Sequence, residues 1–84
     1  MAVYVIQSGT TSHRGVERKR FEVVRDGDHI TGVNKPTVSS MEAYRVTAIV
    51  LRDKVARWLN DPAPVFAASA DDQECAAFAE MLNA

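Results

Sequence analysis

The spacing of hydrophobic positions changes several times along this chain, and each change marks an element. The run AVYVIQ (2–7) is β-branched and aromatic, without Gly or Pro, and predicts a strand. The polar run SGTTSHRG (8–15), bounded by Gly9 and Gly15, predicts a loop. Alternation resumes over residues 16–33 on either side of Asp26–Gly27. That dipeptide is favoured at the centre of a type I′ turn, where both central residues need positive φ. Counting outward from the turn places Arg25 opposite Asp28, Val24 opposite His29, Val23 opposite Ile30, Glu22 opposite Thr31 and Phe21 opposite Gly32. Phe21, Val23 and Ile30 then form a core face, and the Phe21 ring covers Gly32. Arg18, Arg20, Glu22, Val24, His29 and Thr31 fall on the other face.

Beyond a loop at 34–40 held by Pro36, the spacing becomes helical. Ser39 and Glu42 have the separation of a capping box, predicting a helix over 40–59. Met41, Tyr44, Ala48, Leu51, Val55, Trp58 and Leu59 make its apolar stripe, expected to lie on the hairpin's core face with Trp58 and Leu59 sealing the far end. Asn60 followed by DPAP ends it, because proline cannot continue a helix. PVFAAS (64–69) reads equally as a short buried strand or an apolar connector. Ser69 with Asp72 has capping spacing again, and Cys75, Phe78, Ala79 and Leu82 form the stripe of a short final helix. The order β-β-β-α-(β)-α predicts one α+β domain spanning 1–84. Its core is a three-stranded antiparallel sheet backed by the long helix.

Composition adds little until charge is mapped. Hydrophobic residues at 46% and charged residues at 25% describe an ordinary globular chain. A chain of 84 residues has a small core, for which self-association is a natural supplement. AVYVIQ has neither the basic stretch nor the long apolar run of a secretory leader, and no run approaches the roughly 20 apolar residues that span a membrane. With a single cysteine, Cys75, excluding an internal disulfide, a cytoplasmic setting without membrane attachment is expected. The net charge of −1 hides an asymmetry. Residues 13–25 carry Arg14, Arg18, Lys19, Arg20 and Arg25 against Glu17 and Glu22. After Arg57 there is no Lys or Arg, only Asp61, Asp71, Asp72, Glu74 and Glu80. Such polarity orients a partner, or two copies of the chain head to tail.

No catalytic, metal or cofactor motif stands out. His13 and His29 lie on different elements, and neither has a partner at triad or metal-ligand spacing. The 8–15 segment has the glycine and hydroxyl content of an anion-binding loop, but it lacks the Lys-Ser/Thr ending of a phosphate loop and does not open a helix. Asp71, Asp72 and Glu74 crowd a helix start, where the dipole favours anions, and they also offer an acidic contact to a partner. Cys75 on an apolar stripe reads as a small buried hydrophobe. On the back of the long helix Val46 and Val50, flanked by Ala43 and Arg57, form an apolar patch. Either the last helix covers it with Phe78 and Leu82, or it is an interface with a partner or a second copy.

The expected function is therefore a non-enzymatic protein-binding module. Its basic face, Arg14, Arg18, Lys19, Arg20 and His29, would meet an acidic surface on a protein partner. Size, polarised charge and the lack of a catalytic motif fit accessory proteins of phages and mobile elements, including inhibitors of host defence complexes that act by occupying a surface. The alternative is a DNA- or RNA-binding module that uses the exposed face of the 16–33 hairpin as a ribbon in the major groove. The acidic interruptions at Glu17 and Glu22 and the lack of an exposed aromatic platform weigh against it.

Overall fold

A computed structural model describes residues 3–34 and 40–84. Its elements are β1 (Val3–His13), β2 (Val16–Arg25), β3 (Asp28–Asn34), α1 (Met41–Leu59), β4 (Val65–Ala68) and α2 (Gln73–Asn83). The order is the expected β-β-β-α-β-α, with Val65–Ala68 within the 64–69 segment forming a strand. β4 joins the sheet parallel to β1, giving a mixed four-stranded sheet ordered β3-β2-β1-β4. Among the described residues no helix is long and apolar enough to cross a membrane.

The expected loop at 8–15 is mostly strand. β1 continues to His13 and turns at Arg14–Gly15 straight into β2, both turn residues having positive φ (52° and 76°). Such a two-residue turn matches strand twist, so Thr10, Thr11 and Ser12 pair with Lys19, Arg18 and Glu17 instead of looping out. The second turn is as expected, with Asp26 and Gly27 at φ 52° and 85°. Its register holds for Arg25–Asp28 and Val24–His29, then slips. Val23 pairs with Thr31, Glu22 with Gly32 and Phe21 with Val33, leaving Ile30 as the extra residue of a bulge. Residues 30 and 33 cannot share a face of a regular strand, and the bulge turns both Ile30 and Val33 toward the core. Thr31 thereby moves to the Val23 side.

The helix at 40–59 begins at Met41, and its cap is Ser40, whose hydroxyl accepts from Ala43 N–H at 3.1 Å. Glu42 is then one position too early to close a reciprocal box, and Ser39 and Pro36 lie outside the described residues. Asn60, in the left-handed region at φ 51°, ends the helix and donates its N–H to Ala56 C=O. Asp72, not Ser69, caps α2, its Oδ1 accepting from Glu74 and Cys75 N–H at 3.0 and 3.2 Å. Ser69 instead donates its N–H to Ile6 C=O, continuing the β4–β1 ladder past the strand.

Both helices lie on one side of the sheet. Tyr4, Ile6, Phe21, Val23 and Phe66 from the strands meet Ala48, Leu51 and Val55 of α1 and Cys75, Phe78, Ala79 and Leu82 of α2. Phe21 and Phe78 stack with centroids 4.4 Å apart, which sets α2 directly on the sheet beside α1. Phe78 and Leu82 are therefore spent in the core, and the expectation that they cover Val46 and Val50 fails. Trp58, expected to seal the far end, is 76% exposed. Trp58 and Leu59 diverge by about 100° around the helix. The core lies on the side of Leu59, which is partly buried.

Candidate binding surface

Strand alternation decides what the helix-free side of the sheet displays. Tyr4 and Ile6 point into the core, so Val3 and Val5 point away, and Val5 stands opposite Val24. The parallel β4 pairs Val65 with Val3 and Ala67 with Val5 on the same side. Val3 is 52% and Val5 37% exposed, giving an apolar corner that no helix covers among the described residues.

Next along this face comes a charged row. Glu22 is opposite Gln7 and accepts from Arg20 Nε at 3.2 Å, while His29 Nδ1 lies 2.9 Å from its other oxygen. Arg20 Nη1 also donates to Asn34 Oδ1 at 3.0 Å. The guanidinium thus lies across Gly32, where a Cβ would sit 2.9 Å from Arg20 Nη2. Arg20, not Phe21, covers this glycine because the bulge rotates Gly32 to the outer face.

Past Arg20 the sheet narrows to two strands. β4 pairs only with Val3–Ile6, and β3 pairs only with Arg20–Arg25. Residues 10–19 of the β1–β2 hairpin therefore extend beyond both neighbours as a ribbon tipped by Arg14. Arg18, opposite Thr11, shares the open face, and the exposed His13 pairs with Val16 near the tip.

Lys19 does not join this face. It lies on the helix side, where Nζ is 2.9 Å from Asp72 Oδ2 and 2.9 Å from Glu74 Oε2. The Ser8 hydroxyl donates to Asp72 Oδ2 at 2.5 Å, and Tyr44 OH donates to Glu74 Oε1 at 2.6 Å. These side chains form a polar junction beside the middle of β1, past the carboxyl end of β4 and against the start of α2. The Ser8 hydroxyl, then Lys19 and the Cys75 N–H, hold the Asp72 carboxyl well below the usual carboxylate range against an opposing effect of burial. Burial pulls the Lys19 ammonium down, but its hydrogen bonds to Asp72 and Glu74 outweigh this and hold it above its ordinary value. Burial pushes the Cys75 thiol up, and Asp72 adds to that. Lys19, the Ser8 hydroxyl and the Tyr44 hydroxyl engage both carboxylates, so Asp72 and Glu74 brace the fold, while Asp71 remains exposed.

Of the residues expected to bind a partner, the structure gathers Arg18, Arg20 and His29 on the open sheet face and sets Arg14 at the ribbon tip. Val46, Val50 and Arg57 stand apart on the outer side of α1, all exposed. Sequence reasoning missed the apolar corner of Val3, Val5, Val65 and Ala67, because its members come from strands whose pairing only the fold brings about. Comparison with protein-family models, curated proteins and solved structures gives no match.

Proposed function

We propose that the protein is a non-enzymatic binding module that docks the helix-free face of its sheet onto a protein partner. The observation carrying this reading is that, among the described residues, the sheet has helices on one side only and exposes Val3 and Val5 on the other, beside the Glu22–Arg20–His29 row. An apolar corner bordered by charges is the arrangement of a docking face, with the valines supplying buried area and Arg18, Arg20 and Arg14 steering an acidic surface into place. Surface occupation of this kind is how an inhibitor of a larger complex, such as a phage or mobile-element protein directed at host defence, would act. Cytoplasmic action accords with it.

A second reading has its own support. The two-stranded ribbon at 10–19, with His13, Arg14 and Arg18, has the shape of a β-ribbon that enters a nucleic-acid groove. Retention of a partner by immobilised protein separates the two. The expected result is a protein retained after nuclease treatment, lost in Val5→Lys and weakened in Arg18→Glu. Loss of retention on nuclease treatment, with nucleic acid co-purifying and steep salt dependence, would transfer the function to the ribbon.

A further inference from the structure

The outer side of α1 is apolar where a solvated helix is ordinarily polar. Ala48, Leu51 and Val55 face the core, and Val46, Ile49 and Val50 on the far side are 52%, 61% and 45% exposed. Three β-branched residues there satisfy neither burial nor helix propensity. The apolar surface also continues off the helix, because Ile49 and Arg45 line, with Met81 and Ala84 of α2, a shallow cavity of about 250 Å³.

The charges around this strip have an order. Glu42 and Arg45 precede the apolar residues, and Arg52, Asp53, Lys54 and Arg57 follow them. A second α1 laid antiparallel, with the two-fold axis beside Ile49, brings each position near the one equally far on the other side of residue 49. Ile49 then meets Ile49 of the second copy, with Val46 of each copy against the aliphatic stem of the other's Arg52 and Val50 beside position 48. Arg45 falls opposite Asp53, and Glu42 comes within reach of Arg57. A two-fold contact makes each charge pair twice. Parallel packing at the same level would set Glu42 on Glu42 and Arg57 on Arg57.

We propose that the outer face of α1 is a self-association surface, on which two copies of the chain pair as antiparallel helices about Ile49. It is separate from the open sheet face, so the module presents two sheet faces from one dimer and can engage a two-fold or repeated partner with enhanced avidity.

Sedimentation equilibrium of the full chain tests this. The expected result is a dimer in the unaltered protein and a monomer in Ile49→Glu, with the far-ultraviolet circular dichroism of the two superimposable, since the side chain is exposed. Glu42→Arg and Arg57→Glu should each weaken dimerisation roughly tenfold, and the double swap should restore it. A monomer under all conditions overturns the proposal. So does a dimer that survives Ile49→Glu, a dimer broken by Val5→Lys instead, or single swaps without effect. Because Val5→Lys tests the sheet face alone, failure of the partner-binding reading and failure of the dimer are read independently.

Discussion

Gly32 lacks a side chain because of what its neighbours do. The Arg20 guanidinium and the Phe21 carbonyl both lie 2.9 Å from where a Cβ would stand. The carbonyl is backbone and cannot swing away. Gly32→Ala is therefore expected to cost about 1–3 kcal/mol, as insertion into packed space does, and to release Arg20 from Glu22 and Asn34. A denaturation midpoint equal to that of the parent protein would show that the site has more room than its geometry allows. The sequence placed Gly32 in a strand, but neither the need for a glycine there nor its cover was legible. Strict alternation from Asp26–Gly27 put Phe21 over it, and the Ile30 bulge exchanged the two faces beyond that point.

At the scale of elements, α2 is tied to the sheet through its first turn. Asp72 caps the helix, accepts from Ser8 on β1 and pairs with Lys19 on β2, so one carboxylate joins three elements. A carboxyl held below its ordinary value stabilises the fold above its unfolded pKa of about 3.9, and that contribution is lost as pH falls toward the folded pKa. Asp72→Asn keeps a capping side chain but loses the charge. It should be about 1.5–3 kcal/mol less stable near neutrality, the range for hydrogen bonds to a charged group. Melting followed from pH 7 to pH 2 should show the two proteins converging below about pH 4. A constant gap across that range would mean that the charge contributes nothing. The cluster of acids at a helix start was visible in the sequence together with its dipole rationale. Its lysine partner was not, because Lys19 and Asp72 are neighbours only once β2 and α2 share a side of the sheet.

For the whole molecule the decisive fact is that two helices crowd one face. At 0.05–0.15 kcal/mol per residue, a domain of this length has roughly 4–13 kcal/mol of stability. Phe78 stacks on Phe21 at the centre of the single core, so Phe78→Ala should cost about 3–5 kcal/mol and lower Tm by roughly 15 °C or more. Trp58, larger but exposed, should cost less than about 0.5 kcal/mol on replacement by alanine. Thermal melts of the two variants side by side check the contrast. Equal losses would mean that Trp58 packs against the molecule after all.

Local patterning was enough for the elements themselves. The Asp26–Gly27 turn, the span of α1 and its stop at Asn60, and the buried stripe of Cys75, Phe78, Ala79 and Leu82 follow from propensity, caps and periodicity, which act over a few residues. Single side chains chosen by long-range packing did not follow. β4 became a strand because β1 offered a free edge, the residues at 8–13 became strand because β2 paired with them, and Lys19 left the basic row for Asp72. The open face came last of all, because it exists only where β1, β2 and β4 lie side by side with both helices on the other side.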